Sequence, residues 1–99
     1  MFNIIWRYSV APTRDSDFRS AYGPRGEWSR LFSLSSGYLG TELVECDEPG
    51  LYITIDRWEH EAHFEEFMAV ANDEYEELDL RLAATTASEE LIGRGSAVE

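Results

Sequence analysis

Residues 56–67, Asp-Arg-Trp-Glu-His-Glu-Ala-His-Phe-Glu-Glu-Phe, place two histidines and five acids within twelve positions. Imidazoles and carboxylates are the groups that bind zinc and that transfer protons. His60 and His63 are the only histidines of the chain, and they lie three positions apart. Zinc hydrolases of the His-Glu-x-x-His type place their histidines four apart. Because the single cysteine, Cys46, adds no ligand cluster, we predict that this segment binds no metal.

The same segment also has the features of a helix start. Glu59 and Glu61 would lie in or near the first turn, where the helix dipole favours negative charge. From residue 60 onward the apolar residues follow a helical period: Phe64, Phe67, Met68, Ala71, Tyr75, Leu78 and Leu82. We therefore predict a long helix that begins here. His63 stays a candidate general base and pocket-lining residue, although packing beside Phe64 is the simpler interpretation.

Alternating patterns predict the strands that position this helix. Residues 2–10, 38–46 and 51–58 read as strands, and the turn Asp47-Glu-Pro-Gly50 joins the last two as an antiparallel hairpin. Residues 15–22 and the segment around Trp28 and Phe32 read as two helical pieces, and residues 90–98 as a weak final strand. The order predicts one domain over residues 1–99, of α+β class, with a ferredoxin-like β-α-β-β-α-β arrangement and an antiparallel sheet.

One face of this sheet is left without a cover. Two helices can cover only one side, yet Ile5 lies opposite Trp6 on the first strand and would be exposed. A second copy of the chain is the simplest cover. We therefore predict a homodimer that buries this face.

The charge of the chain limits its partners. The 99 residues include 20 acids and eight arginines without any lysine, and the net charge is −12. Such a surface repels phosphate backbones, so neither nucleic acid nor an anionic membrane is an expected partner. No apolar run approaches the roughly 20 residues of a membrane span, and residues 1–10 do not resemble a signal peptide. The expected location is cytoplasmic.

Aromatic residues are numerous for a chain of this length, at 13%. Most should belong to the core, because large rings dominate the buried area of small domains. Some can line a pocket between the sheet and the helices that takes a small, flat aromatic ligand. The candidates for such a lining are Trp6, Tyr8, Trp28, Tyr52, Trp58, Phe64 and Phe67.

Two stretches resemble a known family. Trp58 ends a strand and is followed six residues later by Phe64, which resembles the Trp-x-Ser-x-x-Ala-Phe signature of the antibiotic biosynthesis monooxygenase (ABM) domains. The stretches from Ala21 to Phe32 and from Gly37 to Leu43 are similar to one branch of that superfamily. The resemblance covers most of residues 2–92. In the family pattern, His60 and His63 stand where Ser and Ala are usual.

The resemblance implies a dimeric α+β barrel, in which two ferredoxin-like sheets pack face to face. It also implies a monooxygenase that acts on an aromatic or quinol-like small molecule without a cofactor. Quinone-forming members place an Asn, a Trp and a Tyr around the substrate. Trp58 matches the Trp, whereas the Asn is replaced by Thr54 and the Tyr by Phe64. The resemblance predicts Trp58 as a catalytic residue, and residue type adds His63 as a candidate catalytic base. The predicted substrate-binding residues are Tyr8, Tyr52, Trp6 and Phe64.

Two alternatives stay open. The replaced Asn and Tyr favour a non-catalytic dimeric member that binds a ligand or assists a pathway. Haem binding or degradation is less favoured, because the haem-degrading members use an Asn on the first strand and an axial His late in the second helical segment. The aligned positions here are Trp6 and a residue near Asp79.

Overall fold

A computed structural model describes residues 1–98 of the chain. Its elements are β1 (Phe2–Ser9), α1 (Asp15–Tyr22), α2 (Glu27–Phe32), β2 (Tyr38–Glu45), β3 (Leu51–Trp58), α3 (Glu61–Leu82) and β4 (Ser88–Ser96). This confirms the predicted order, with the first helical segment in two pieces. The strand bounds differ from the prediction by at most two residues, and β4 begins at Ser88 rather than Glu90.

The four strands form one antiparallel sheet in the order β2-β3-β1-β4. β1 lies between β3 and β4 and pairs Phe2 with Trp58 and Tyr8 with Tyr52. The order and the directions are those of a ferredoxin-like α+β fold, as the sequence predicted. No helix within residues 1–98 is long and apolar enough to cross a lipid bilayer.

The alternation of each strand decides which side chains meet the helices. On β3 the even-numbered residues Tyr52, Thr54, Asp56 and Trp58 are buried, whereas the odd-numbered residues between them are only half-buried. Successive side chains of a strand point to opposite faces, so the even-numbered set faces the helix layer. It packs there with the rings of α1, α2 and α3, and the core is largely aromatic.

The opposite face of the sheet is apolar at its centre. Ile5 pairs with Ile55, and Ile53 lies on the same face of β3. All three are half-buried within a single chain. Ion pairs flank this patch on both sides, between Arg7 and Glu90 at 2.6 Å and between Arg57 and Glu42 at 3.0 Å.

Candidate active site

A cavity of about 170 Å³ lies between the sheet and the helices. Six aromatic rings form most of its wall: Trp6, Tyr8, Tyr22, Trp28, Phe32 and Tyr75. Its polar lining consists of five side chains: Thr41, Thr54, Asp56, Asp79 and Glu89. Mostly aromatic walls with a few polar groups are typical of small-molecule sites.

Strand register brings the polar groups of the cavity floor together. Thr41 of β2 lies directly opposite Asp56 of β3, and Trp6 of β1 lies opposite Thr54. All of them lie on the helix-facing side of the sheet, because they line the same space under the helices. Asp56 therefore occupies an inward strand position, where an apolar residue is the usual choice.

Asp56 is the most deeply buried acid of this site, with 9% of its surface exposed. The hydroxyl of Thr41 donates a hydrogen bond to its Oδ1 at 2.7 Å. Burial raises the pKa of Asp56 to about 6, and the hydrogen bond from Thr41 offsets part of that rise. A carboxyl group with a pKa near neutrality can take a proton from a ligand and return it, which is what a general base requires.

A chain of hydroxyl groups leads away from Asp56. Thr41 contacts the hydroxyl of Tyr38, which donates to Ser29 Oγ at 3.1 Å, and Ser29 donates to the carbonyl oxygen of Gly23 at 3.1 Å. When Asp56 is ionised, Thr41 donates to it. When Asp56 takes a proton, its O–H can donate to Thr41, whose own hydrogen then turns toward Tyr38. Rotation of these hydroxyls thus accommodates both states of the carboxyl group.

The tyrosines of the cavity are held in the neutral form. Burial raises the pKa of Tyr8, and burial together with the charges of Asp79, Asp56 and Glu89 raises the pKa of Tyr75 to about 12. Their hydroxyl groups are therefore hydrogen-bond donors at neutral pH rather than bases.

Three of the six residues predicted from the sequence lie at this site. Trp6 and Tyr8 line the cavity itself. Phe64 lines an adjoining space of about 80 Å³, which shares Trp6 and Asp56 with the main cavity. Tyr52, Trp58 and His63 line neither space.

Trp58 lies beside the cavity, within the core. Its side chain is fully buried. The centroid of its ring is 5.2–5.6 Å from the ring centroids of Phe32, Tyr38, Phe64 and Phe67. Its indole Nε1 has no hydrogen-bond partner within residues 1–98. Its catalytic role stays a prediction.

His63 packs against the chain just before β2 and does not line the cavity. The His63 ring packs against the backbone of Gly37 so closely that a Cβ at that position would overlap it. His63 also stacks on His60 at 5.6 Å, and its Nε2 is 3.9 Å from a carboxylate oxygen of Glu59. In residues 1–98 no three His, Cys, Asp or Glu side chains are grouped so that they could hold a metal ion.

Tyr52 belongs to a polar cluster at the other end of β3. Its hydroxyl donates to Asp15 and accepts a hydrogen bond from Arg19 Nε at 2.9 Å. Arg19 in turn pairs with Glu45 at 2.6 Å. These contacts tie α1 to the sheet, and the substrate-binding role of Tyr52 stays a prediction.

Asp56 and Thr41 are among the site residues that the sequence interpretation missed, as are Tyr75, Asp79 and Glu89. A signal for Asp56 was present, because it stands two positions before Trp58 and four after Tyr52 on one strand, so alternation gives all three the same face. A charged residue on the buried face of a strand is a functional candidate. No comparable signal marks Thr41, whose part depends on the register between β2 and β3.

These features define a small ferredoxin-like α+β domain with a buried carboxyl group in an aromatic cavity. The family model described as antibiotic biosynthesis monooxygenase matches residues 1–78. Because the match spans most of the chain, the protein belongs to the ABM family, as the Trp58 and Phe64 spacing indicated. A search of curated protein sequences found no significant match.

Solved structures share the fold at low sequence identity. A variant of SnoaB, a cofactor-independent oxygenase from Streptomyces nogalater, superposes with a TM-score of 0.74 at 20% identity, over 99% of this chain and 93% of that one. An ABM-type protein from Bordetella bronchiseptica gives 0.75 at 21% identity, over 99% and 97%. Another from Deinococcus radiodurans gives 0.77 at 13% identity, over 100% and 94%. At such identities the likeness shows the fold.

Proposed function

We propose that the protein is a cofactor-independent monooxygenase that converts a phenolic aromatic compound to a quinone. The observation that carries this proposal is Asp56, a carboxyl group with a raised pKa on the floor of an aromatic cavity. Membership of the ABM family supports the reaction class. The cofactor-independent oxygenase SnoaB shares the fold.

In this proposal the substrate itself reduces oxygen. Asp56 takes the phenol proton, and the resulting phenolate passes electrons to O₂. One oxygen atom bonds to a ring carbon, which loses its hydrogen, and the other oxygen leaves as water. A phenol and one O₂ thus yield one quinone and one water, which balances the four electrons that O₂ accepts. The aromatic walls exclude water, and the neutral hydroxyl groups of Tyr8 and Tyr75 stabilise the phenolate.

Oxygen uptake tests this proposal directly. A panel of hydroquinone, simple phenols and anthrone-type compounds is assayed with an oxygen electrode, with and without added flavin. We expect uptake of one O₂ per quinone formed, independent of flavin, and one labelled oxygen atom in the product from ¹⁸O₂. If panel members bind tightly without any oxygen consumption, the proposal is wrong.

That outcome would support the second candidate, a non-catalytic ligand-binding or accessory protein. The observation that favours it is the presence of Thr54 and Phe64 where quinone-forming members carry Asn and Tyr. The colour of the purified protein distinguishes haem binding from the oxygenase and from the accessory protein. A cytoplasmic location also stays a prediction.

We also propose that the protein is a homodimer joined through the open face of the sheet. Ile5, Ile53 and Ile55 form an apolar centre there, and ion pairs lie at its edges, as in an interface core with a polar rim. A stable interface of this kind buries roughly 1,200 Å² or more in total.

Light scattering should therefore give twice the monomer mass at micromolar concentration. The substitution Ile55→Glu places a charge at the centre of the patch and should give a monomer, whereas Glu48→Gln, in the turn between β2 and β3, should not. A monomeric wild-type protein, or an Ile55→Glu variant that stays dimeric, would contradict the dimer.

A further inference from the structure

The lining of the main cavity is acidic, and the nearest cation, Arg94, lines the adjoining space, where it pairs with Glu61. Asp56, Asp79 and Glu89 are among the lining residues of the main cavity, and no Arg or His side chain within residues 1–98 lines the same space. Some acids of the chain are paired, as Glu90 is with Arg7 and Glu61 with Arg94, and other exposed acids, such as Glu65 and Asp73, are in no ion pair within residues 1–98. Asp79 and Glu89 take part in no ion pair within the described part of the chain.

The three acids occupy different depths. Asp56 is buried on the floor, whereas Asp79, on α3, and Glu89, on β4, are exposed, which places them at the mouth. Burial and the neighbouring charge of Asp79 raise the pKa of Glu89, so the two carboxylates are close enough to repel each other. A ligand that brings a positive charge to the mouth would relieve this repulsion.

The walls suit such a ligand as well. Trp6 and Trp28 present indole rings, which attract cations through their electron-rich faces. Trp28 is 8% exposed, and its Nε1 makes no hydrogen bond of normal geometry within residues 1–98, although it lies near the hydroxyl of Tyr22. The three acids are not grouped tightly enough to hold a metal ion, which favours an organic cation.

The cavity has room for one ring rather than several. An apolar cavity of about 150 Å³ in another protein holds a single benzene molecule. The main cavity here is of that size, at about 170 Å³. The adjoining space of about 80 Å³ extends it only slightly.

We infer that the preferred ligand is a cationic phenol, with one aromatic ring between the tryptophans, its hydroxyl group directed toward Asp56 and a protonated amine at the mouth between Asp79 and Glu89. This inference rests on the proposed function in one respect, that the cavity is the substrate site. It does not depend on turnover. Asp79 and Glu89 are then specificity-determining residues that act on the charge of the ligand.

Three phenols that differ in the charge of the tail test this inference. Tyramine carries a protonated amine, 4-ethylphenol is neutral, and 3-(4-hydroxyphenyl)propionate carries a carboxylate. Their dissociation constants are measured by calorimetry in the absence of oxygen, at near-physiological salt. We expect tyramine to bind most tightly and the propionate most weakly, with roughly a tenfold difference between them, since each exposed ion pair changes affinity only severalfold.

The double variant Asp79→Asn/Glu89→Gln should bind all three phenols with similar affinity. The matched control is Glu65→Gln/Asp73→Asn, which makes the same change in net charge at exposed positions on α3 that do not line the cavity. It should keep the preference for tyramine. Thermal unfolding checks that both variants are folded, and loss of the repulsion at the mouth should leave the first at least as stable as the wild type.

Equal affinities of the wild-type protein for the three phenols, or no binding of any of them, would overturn the inference. A preference for tyramine that survives in Asp79→Asn/Glu89→Gln, or that disappears in the control, would overturn it too. A charge preference without oxygen uptake would contradict the proposed oxygenase and leave this inference standing. Oxygen uptake without a charge preference would support the proposed oxygenase and overturn this inference.

Discussion

Asp56→Asn should lower the rate of oxygen uptake by about 10²–10⁴-fold, because an amide cannot take the phenol proton and general bases contribute on that order. Asn has nearly the shape of Asp, and its carbonyl oxygen can still accept the hydrogen bond from Thr41. The measurement is the oxygen-electrode assay with the best phenol of the panel. Ligand affinity, measured without oxygen, should change far less than the rate.

The same variant should also change how stability depends on pH. In the folded protein the pKa of Asp56 is raised to about 6, whereas the ordinary value is 3.8. The folded state therefore holds this proton more tightly than the unfolded state. The contribution to stability is fully present below the unfolded pKa and is lost as the pH rises through the folded pKa.

Between about pH 5 and about pH 8, the contribution of Asp56 to the free energy of unfolding of the wild-type protein should fall by about 1.4 kcal/mol, the equivalent of one pKa unit. This pH range covers only part of the shift in pKa from 3.8 to about 6. Asp56→Asn lacks this loss, so its free energy of unfolding relative to wild type should rise over that range. Urea unfolding at the two pH values measures the difference. The control Asp73→Asn, at an exposed site, should match wild type in both rate and pH dependence.

A variant that oxidises the phenol at the wild-type rate would exclude Asp56 as the base. If the difference in free energy of unfolding between Asp56→Asn and wild type is the same at both pH values, the carboxyl group of Asp56 does not titrate near neutrality. The two readouts are independent, because one reports on turnover and the other on the protein alone. A lower rate of oxygen uptake and a changed pH dependence of stability are both expected if burial at an inward strand position sets the pKa of Asp56.

The frame of this site could be predicted from the sequence because it depends on local periodicity. Alternation predicts the inward faces of β1 and β3, and Trp6 and Tyr8 of the inward face of β1 line the cavity. The hairpin turn at Asp47-Glu-Pro-Gly50 fixed the antiparallel pairing of β2 with β3. Each of these features depends only on residues that are close together in the sequence.

The chemistry of the site depends on contacts between distant residues, which periodicity does not give. Asp56 meets Thr41 through the β2–β3 register, and its burial depends on rings from α2 and α3. His63 is suited to catalysis by residue type; it packs on Gly37, the residue before β2, and its catalytic role stays a prediction. Trp58 was matched to the family pattern by spacing, and spacing alone does not say whether its N–H meets the ligand.

Trp58→Ala should destabilise the protein by about 3–5 kcal/mol, the usual cost of replacing a buried tryptophan with alanine. The side chain is fully buried and contacts rings from α2, β2 and α3, so its loss leaves a cavity that several elements would have to collapse to fill. For a chain of 99 residues a loss of this size is a large part of the total stability. Urea unfolding measures the change.

Trp58→Phe separates packing from chemistry. The phenyl ring keeps much of the volume, and the lost Nε1 donor has no partner within residues 1–98, so the cost in stability should stay near or below about 2 kcal/mol. The matched control is Phe67→Leu, a buried residue at 5.5 Å from the Trp58 ring that carries no donor. If the N–H of Trp58 acts on the substrate, as the family pattern implies, Trp58→Phe should slow oxygen uptake more than Phe67→Leu does at equal loss of stability. Equal rates for the two variants would restrict Trp58 to packing, and a Trp58→Ala variant as stable as wild type would contradict even that role.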